Sequence, residues 1–288
     1  METLPDESVD LVMTSPPFAL LRQKDYGNVP DHEYIAWFTP FAKEIQRILK
    51  PTGSFVLDIG GTWNKGEPTR SVYHYDLAVQ LVRHGFFLAQ EFFWFNPAKL
   101  PSPAEWVTVR RIRVKDAVNM VWWFSKTTKP KATNRKVLTP YSESMKALLK
   151  NGYNKGLRPS GHDISDNFSK DNGGAIPSNL LAIPNTESNT LYQRRCKECG
   201  IKAHPARYPA GLPDFFVKML TDPGDLVLDP FGGSNMTGQV CEADGRRWIS
   251  CDLDPEYVTA SMFRFDGKIV SKTIALPRPK LKVVKKTA

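Results

Sequence analysis

Two prolines follow a short apolar run near the start of the chain, in the segment Thr14-Ser15-Pro16-Pro17-Phe18. Proline fixes the backbone in an extended path and has no N–H group, so neighbouring carbonyl groups stay free to accept hydrogen bonds. The Ser15 hydroxyl adds another acceptor, and the Phe18 ring stands close by. Such a pocket suits a flat heterocycle with an amino group: the ring can stack, and its NH₂ can donate to Ser15 and to the Pro16 carbonyl.

The chemistry open to such a pocket is attack by an aromatic amine. An aromatic amine is a poor nucleophile because its lone pair is conjugated with the ring. Hydrogen bonds accepted from both N–H groups help the nitrogen to become tetrahedral, which frees the lone pair for attack on a sulfonium methyl group. The amine proton becomes acidic only as the new bond forms, so a strong base is not essential. A plain loop is the commoner explanation of Ser-Pro-Pro when it stands alone.

A second segment with ligand-binding potential spans residues 226–238. An apolar strand ends at Asp229 and leads through Pro230-Phe231-Gly232-Gly233-Ser234 into a helix, an arrangement that lets the backbone approach a ligand closely. Asp252 follows the next predicted strand, where a carboxylate can accept both hydroxyls of a ribose. The spacing does not match G-x-G-x-x-G, which disfavours a dinucleotide. An ordinary strand-turn-helix is the alternative, and the two aspartates favour a nucleoside cofactor.

Strands and helices alternate along the segments that must position these residues. Apolar and aromatic runs predict strands at 9–13, 55–59, 86–95, 118–124, 226–229 and 248–251, with the third and fourth as a hairpin pair. Helical spacing predicts helices at 31–49, 71–84, 213–220 and 255–265. Pro40 should kink or split the first helix, and Pro51-Thr52-Gly53 should form a turn. The alternation predicts an α/β fold with a mostly parallel sheet covered on both faces.

The middle of the chain has a different composition. Residues 126–200 are rich in Lys, Asn, Ser, Gly and Pro, and only one clear helix is predicted there, around 142–149. Long irregular segments inside an enzyme are often functional. We therefore expect an inserted region or a small subdomain.

The net charge of the chain is +9, and its hydrophobic content of 41% is typical of a globular protein. A basic excess favours a nucleic-acid partner, although solubility alone would also explain it. The tail from Lys268 onward has seven basic residues and no acidic ones. This tail could bind DNA phosphates, or it could be a solvent-exposed terminus without a binding role; its composition fits both.

Four cysteines are present, and Cys196 and Cys199 form a lone C-x-x-C motif. His204 is near in the sequence, but a fourth zinc ligand is not evident, so free thiols in a reducing compartment and no metal are expected. No apolar run is long enough to span a bilayer, and the N-terminus has no signal-peptide pattern. These features predict a cytosolic protein with no membrane partner.

Ser-Pro-Pro-Phe after a hydrophobic strand, followed later by Asp-Pro-Phe-Gly-Gly-Ser, resembles the amino-methylating DNA methyltransferases. The catalytic motif precedes the cofactor motif, as in their beta class, and the Ser-Pro-Pro form is associated with cytosine-N4 enzymes. The resemblance covers nearly the whole chain up to Gly267. It implies a Rossmann-like, S-adenosylmethionine-dependent methyltransferase fold with a circularly permuted motif order, an antiparallel hairpin and an inserted target-recognition region.

The resemblance implies roles for individual residues. Ser15, Pro16, Pro17 and Phe18 would be catalytic. Asp58, at the end of the second strand, would face the target and could steady the cytosine or accept a proton, and a strand-end cap is nearly as well supported. The cofactor would be bound at its methionine end by the glycine-rich loop, at its ribose by an aspartate, and by a further segment at 204–209: Asp229, Pro230, Phe231, Gly232, Gly233, Ser234, Asp252, His204, Pro205 and Arg207.

The resemblance also implies how DNA is bound and how the chain is divided. Residues 1–126 would be the catalytic half, 127–200 the target-recognition region and 201–267 the cofactor-binding half. The remaining residues, 268–288, lie outside the resemblance and are expected to form a basic, flexible tail from their composition. Phosphate contacts are expected from one basic stretch: Arg110, Arg111, Arg113 and Lys115. Base readers are expected in the recognition region: Arg158, Ser160, His162, Lys170 and Asn172. Its resemblance at 157–181 suggests a short palindrome with a central GC, such as CAGCTG.

One departure from the family concerns the start of the chain. Family members usually have a further strand and an acidic segment before the catalytic strand, which shape the adenine end of the cofactor pocket, whereas Met1 stands eight residues before Val9. The element is expected to be missing. The chain would then start at an internal methionine, use a substitute element, or bind the cofactor poorly.

The predicted reaction is methyl transfer from S-adenosylmethionine to N4 of a cytosine flipped out of double-stranded DNA, without a metal. Restriction-modification or epigenetic marking in a bacterial or archaeal cytosol would be its setting. A cognate restriction endonuclease would be a genetic partner, not a physical one. The alternatives are an adenine-N6 methyltransferase and a DNA-binding module with impaired cofactor binding. A nicotinamide-dependent dehydrogenase is disfavoured, because no phosphate fingerprint is present.

Overall fold

The computed structural model describes residues 1–21, 24, 27–152, 156–161, 163–164, 170–186 and 190–265. Its strands are β1 (Val9–Thr14), β2 (Leu49–Ile59), β3 (Phe87–Phe95), β4 (Val118–Ser125), β5 (Gly156–Leu157), β6 (Asp163–Ile164), β7 (Leu180–Ala182), β8 (Leu226–Asp229) and β9 (Arg247–Ser250). The predicted tail at 268–288 and the candidate base reader His162 lie outside the described residues.

Seven helices accompany the strands in the described part of the chain. They are α1 (Tyr34–Ile48), α2 (Tyr73–Arg83), α3 (Glu143–Asn151), α4 (Leu191–Glu198), α5 (Gly211–Leu220), α6 (Met236–Ala243) and α7 (Pro255–Ser261). Short turns of π-helix at Glu105–Val109 and of 3₁₀-helix at Asn134–Lys136 and Met262–Arg264 complete the set.

One sheet dominates the fold, with the strand order β7-β3-β4-β2-β1-β8-β9. β2, β1, β8 and β9 run parallel to one another, and β7 runs parallel to β3. β4 is antiparallel to both β2 and β3, so the predicted hairpin pair forms with residues 96–117 as its long connection. β5 and β6 form a separate two-stranded ribbon. The predicted mostly parallel α/β sheet with an antiparallel hairpin is confirmed.

β1 lies at the centre of the core, and all six of its residues are buried. Because successive strand residues point to opposite faces, Val12 packs into one apolar cluster and Leu11 and Met13 into the other. Residues of α1 and α2, such as Phe38 and Leu77, cover the first face, and α5 and α6 cover the second. Burial on both faces explains why β1 is apolar at Val9 and from Leu11 to Met13.

The structure differs from the sequence-based prediction in three details. Of the two outcomes predicted at Pro40, a kink or a split, the split does not occur, since α1 continues past it and buries an apolar face at Phe38, Ala42 and Ile45 that outweighs one lost backbone bond. The segment Pro51–Gly53 lies within β2 instead of forming a turn, and the Lys131 N–H donates to the Thr52 carbonyl at 2.9 Å.

The third difference is a missed helix. The segment 126–200 contains α4 as well as the predicted α3. Thr190 caps α4 by accepting a hydrogen bond from the Gln193 N–H, and the helix buries Tyr192 and Cys196. Only two of its side chains are buried, which is why its pattern was too weak to recognise.

Candidate active site

The two predicted motifs meet at the carboxyl ends of β1 and β8. These strands are parallel neighbours, with Val12 opposite Leu228, so the segments that follow them leave the sheet side by side. The Thr14 hydroxyl donates a 2.6 Å hydrogen bond to Asp229 Oδ1. The Ser-Pro-Pro-Phe segment and the glycine-rich loop therefore belong to one site.

Asp229 is the hub of this junction and is only 2% exposed. Its Oδ1 also accepts from the Phe231 N–H at 3.2 Å, and its Oδ2 accepts from the hydroxyls of Thr237 at 2.7 Å and Tyr208 at 3.1 Å. Burial raises the pKa of Asp229, and the four hydrogen bonds oppose that rise. Both carboxylate oxygens are thus engaged by the protein, which lets Asp229 hold the loop in place.

The Ser15 hydroxyl is oriented by Asp58. Ser15 Oγ donates to Asp58 Oδ2 at 2.9 Å, and Asn119 Nδ2 donates to Oδ1 at 3.3 Å. Asp58 is 1% exposed, and burial raises its pKa to about 6, against the lowering effects of the two hydrogen bonds and of the Lys99 charge. With its proton committed to Asp58, the Ser15 oxygen presents its lone pairs to a donor in the pocket.

The Phe18 ring packs against the end of β2. A Cβ atom added to Gly60 would lie 2.6 Å from Phe18 Cε2, so the ring needs a glycine at that position. A cavity of about 410 Å³ opens next to it, lined by Ala19 and Leu20, which directly follow Phe18, and by Thr62 and Trp63. This cavity adjoins the end of the Ser-Pro-Pro-Phe segment.

The glycine-rich loop is tightly folded against β9. Gly232 approaches β9 so closely that an added Cβ would lie 1.9 Å from Ser250 Oγ. Gly233 has a φ of 50° and donates its N–H to Asp252 Oδ2 at 2.9 Å. Asn235 ends the loop in the left-handed conformation and caps α6 through the Gly238 N–H. The structure thus brings the loop and Asp252 together as the sequence predicted.

Asp252 fits the ribose end of a nucleoside cofactor. Its second oxygen accepts from the Asp254 N–H at 2.9 Å, so each carboxylate oxygen still has a lone pair for a hydroxyl donor. Leu253, the next residue, is 89% exposed and offers an apolar surface to a heterocycle. The donor and acceptor set at the end of β9 therefore suits S-adenosylmethionine.

The segment 204–209 lies against the same loop. The His204 ring is 3.1 Å from the position of a Cβ on Gly233 and packs edge-to-face on Tyr257. The His204 N–H donates to the Tyr192 hydroxyl at 2.9 Å, and Arg207 Nη1 donates to the His204 carbonyl. Burial lowers the pKa of His204, which favours a neutral ring. Pro205 is exposed.

The predicted phosphate contacts lie together on the connection between β3 and β4. Arg110 pairs with Glu105 at 2.7 Å, and Arg113 Nε donates to the Pro68 carbonyl at 3.1 Å. Lys115 Nζ donates to the carbonyls of Pro97 and Lys99, and Arg111 is exposed at a φ of 54°. This loop therefore presents several cations on one exposed segment.

Four of the predicted base readers lie within the described residues. Ser160, Lys170 and Asn172 are exposed, and Arg158 is half-buried. The Asn172 N–H donates to the Tyr141 hydroxyl at 2.9 Å. Their contact with bases stays a prediction, as does the division of the chain at residues 127 and 200.

The cysteines bear on metal binding, and the helix lengths bear on membrane insertion. The four cysteines are free, with Cys196 buried and Cys199 exposed on α4 and its C-cap. Within the described ranges, no group of His, Cys, Asp and Glu side chains could hold a metal ion. None of the helices in the described part of the chain has the length and hydropathy needed to cross a bilayer.

Several residues of the site escaped the sequence-based prediction. Thr14 was predicted without a role, Tyr208 only as part of the segment 204–209, and no role was predicted for Asn119 or Thr237. Asn119 is the only polar residue between Val118 and Phe124, so a polar residue in an otherwise apolar strand could have marked it. No local pattern marks Tyr208 or Thr237, because their partner Asp229 is distant in sequence.

The family model N6_N4_Mtase, described as DNA methylase, matches residues 9–263. The chain belongs to this DNA methylase family. It is 60% identical to the type II methyltransferase M.PvuII of Proteus hauseri over 276 residues, which are 94% of this chain and 82% of the relative. It is 29% identical to the type II methyltransferase M.BglII of Bacillus subtilis, over 88% of this chain and 63% of that one.

Solved structures of DNA methyltransferases have the same fold. The PvuII DNA methyltransferase (cytosine-N4-specific) matches with a TM-score of 0.74 and 52% identity, over 93% of this chain and 83% of that one. The M1.HpyAVI–SAM complex matches with a TM-score of 0.51 and 16% identity, over 92% and 91%. The predicted family, the α/β methyltransferase fold and the assignment as a DNA methyltransferase are confirmed.

Proposed function

We propose that this DNA methyltransferase transfers a methyl group from S-adenosylmethionine to N4 of a cytosine flipped out of duplex DNA. The observation that carries the proposal is the Ser15 Oγ to Asp58 Oδ2 hydrogen bond of 2.9 Å beside two proline carbonyls. The 2.6 Å bond from Thr14 to Asp229 joins this pocket to the cofactor loop. The choice of cytosine is supported by 60% identity to M.PvuII and by the name of the similar cytosine-N4-specific structure.

The catalytic segment would prepare the amine for attack. Ser15 Oγ accepts from one N–H of the target amine and the Pro16 carbonyl accepts from the other, while Phe18 stacks on the ring. Both hydrogen bonds favour a tetrahedral nitrogen with a free lone pair. As the new C–N bond forms, the amine proton becomes acidic. It can pass to Ser15 Oγ while the hydroxyl proton passes to Asp58, whose pKa of about 6 suits a proton acceptor near neutrality.

The cofactor supplies a sulfonium methyl group, and the loss of that methyl leaves a neutral thioether. Asp252 would accept hydroxyl hydrogen bonds from the ribose, with Leu253 against the adenine. Gly232, Gly233 and Ser234 would hold the methionine end, where only a glycine backbone allows close approach. Pro230, Phe231 and the segment 204–209 would close the pocket. Asp229 would fix the loop without contacting the ligand.

Duplex DNA would lie across the exposed cations of the β3–β4 connection, which orient it without reading sequence. The recognition region 127–200 would read the bases through Arg158, Ser160, His162, Lys170 and Asn172. A palindrome such as CAGCTG is the proposed target. Because its relative M.PvuII is a type II methyltransferase, we further propose a bacterial or archaeal cytosolic modification enzyme. Its genetic partner would then be a restriction endonuclease.

The experiment is to methylate plasmid DNA that contains CAGCTG and to identify the modified nucleoside by digestion and mass spectrometry. N4-methylcytosine at that site is expected. N6-methyladenine without N4-methylcytosine would overturn the proposal in favour of the adenine alternative. Calorimetry with S-adenosylmethionine tests the remaining alternative, because a protein that binds DNA but not the cofactor would be a binding module. Ser15→Ala, which should bind the cofactor but not methylate, is the matched control.

A further inference from the structure

Two buried tyrosines form hydrogen bonds with the backbone of the Ser-Pro-Pro-Phe segment and of the residue that follows it. Tyr34 begins α1 and is 0% exposed, and Tyr73 begins α2 and is 3% exposed. The Tyr34 hydroxyl donates to the Pro17 carbonyl at 2.8 Å. The Tyr73 hydroxyl donates to the Gly60 carbonyl and accepts from the Ala19 N–H at 3.4 Å. The pair therefore ties the segment to α1 on one side and to the end of β2 on the other.

The two rings also contact each other. Their centroids are 4.8 Å apart at an interplanar angle of 65°, an edge-to-face arrangement. Burial raises the pKa of both tyrosines above the ordinary value, so each hydroxyl keeps its proton as a donor at working pH. A phenylalanine would fill the same space at either position. Packing alone therefore does not explain why these two residues carry a hydroxyl group.

The hydrogen bond from Tyr34 also affects the orientation of the Pro16 carbonyl. The pyrrolidine ring of Pro17 fixes its φ angle, and the peptide bond that precedes it is planar. Only the ψ torsion of Pro17 then separates its carbonyl from the Pro16–Pro17 peptide plane, which contains the Pro16 oxygen, so the hydrogen bond from Tyr34 restricts the orientation of that plane. Pro16 is buried, and no donor in the described part of the chain is bonded to its carbonyl.

We propose that Tyr34 and Tyr73 are positioning residues of methyl transfer, which orient the Pro16 carbonyl toward the target amine by holding Pro17 and Ala19. This inference rests on the proposed function, because it needs an amine as the donor to Pro16. Neither tyrosine touches the substrate. Their effect would be on the rate of the bound complex, since a small displacement of an acceptor from the reacting geometry slows chemistry more than binding.

Helix α1 also contacts the cofactor loop, which strengthens the inference. Phe231 of that loop packs on Trp37 and Phe41, at centroid distances of 5.7 and 4.9 Å. The helix that holds Pro17 through Tyr34 thus also supports the loop that would hold the methyl donor. A single rigid element can in this way set the distance between the two reacting partners.

The test is Tyr34→Phe, which keeps the ring and removes only the hydroxyl. With enzyme saturated by S-adenosylmethionine and DNA, we expect the single-turnover methylation constant to fall by about 10-fold or more. The Kd values for cofactor and DNA, and the pH profile, should stay as in the wild type. Tyr73→Phe should act on the same segment through Ala19, so the double variant should lose less than the product of the two single effects.

Two control variants separate positioning from stability. Tyr75→Phe removes a hydroxyl from a half-exposed tyrosine of α2 and should leave the constant unchanged. Ile45→Val removes a buried methylene from α1 and should lower Tm with the constant near wild type. The inference is overturned if Tyr34→Phe keeps the wild-type constant at saturation, or if Ile45→Val slows methylation as much. The single-turnover constants are measured for the amine that the enzyme methylates, whether it belongs to cytosine or adenine. The identity of that product tests the proposed function separately.

Discussion

Replacing Asp58 with asparagine should stabilise the protein while it slows methylation. The wild-type carboxylate is 1% exposed and lies between Ser15 and Asn119. Asparagine has nearly the same shape, carries no charge and can keep one hydrogen bond to each neighbour. The variant therefore avoids the cost of burying a charge but loses the proposed proton acceptor. Stability and activity should change in opposite directions, as is common when a catalytic group is buried.

The magnitude follows from the pKa of Asp58. Burial raises it from the ordinary 3.8 to about 6, which corresponds to about 3 kcal/mol between the two protonation states. The folded protein binds this proton more tightly than the unfolded chain does. The stability of the wild type should therefore fall as the pH rises from about 4 to about 6, and it should stay lower above that range. Asp58→Asn lacks this contribution, so its advantage should be largest at pH 8.

The assay is urea unfolding of both proteins at pH 5 and pH 8. The advantage of Asp58→Asn should reach up to about 3 kcal/mol at pH 8 and shrink by roughly half at pH 5. Asp222→Asn is a control of opposite sign, because hydrogen bonds from Lys131 and Lys136 lower the pKa of Asp222 to about 2. That variant should be less stable than the wild type at pH 8.

Two results would refute the reasoning. An Asp58→Asn variant that is no more stable than the wild type at pH 8 would mean that the charge is not costly in the folded state. A stability difference that is equal at pH 5 and pH 8 would mean that Asp58 does not titrate near 6. Single-turnover methylation completes the test: in the wild type the rate should rise with pH through about 6, and in Asp58→Asn it should be low and flat.

Three further predictions concern the junction, the target pocket and the DNA surface. Thr14→Val removes one donor from the buried Asp229 carboxylate and should lower the free energy of unfolding by about 1–3 kcal/mol, measured in urea. An unchanged free energy would mean that the Thr14 hydrogen bond to Asp229 does not stabilise the junction. Gly60→Ala places a Cβ 2.6 Å from the Phe18 ring, so it should slow methylation but leave cofactor binding by calorimetry unchanged. Neutralising the exposed cations of the β3–β4 connection should weaken binding to all DNA sequences in fluorescence anisotropy and reduce the salt slope by about 0.9 per lost phosphate contact; loss at the cognate site alone would count against it. Those cations are Arg110, Arg111, Arg113 and Lys115.

The fold was predictable where one residue pattern dominates. β8 was predicted with its observed ends because a short apolar run stops at Asp229 and a glycine-rich loop follows. Pro40 does not split α1 and Pro51 does not form a turn, because local conformational preferences were outweighed by the burial of α1 and by the long pairing of β2. Local propensity is a weak guide wherever tertiary burial opposes it.

The site was predictable only as far as motifs mark it. Ser15, Asp229 and Asp252 stand at strand ends in recognisable segments, and the structure brings these segments together. The tyrosines that support them could not be assigned, because each partner is fixed by tertiary contact. Tyr34 lies on the buried face of a helix, where its sequence position is typical of a core residue, and only the structure shows that its hydroxyl donates to the Pro17 carbonyl. A buried tyrosine hydroxyl usually has a hydrogen-bond partner, and the sequence does not identify that partner.

The position of β1 between β2 and β8 has a consequence for synthesis on the ribosome. One edge of β1 pairs with β2 early, whereas Asp229, the partner of Thr14, follows 215 residues later. Contacts of such sequence separation cost loop-closure entropy and slow folding. A nascent chain thus carries the catalytic segment with an open strand edge until the cofactor half emerges. Growing chains at high density would be prone to aggregate at that edge, and methylation would begin only after β8 has been synthesised.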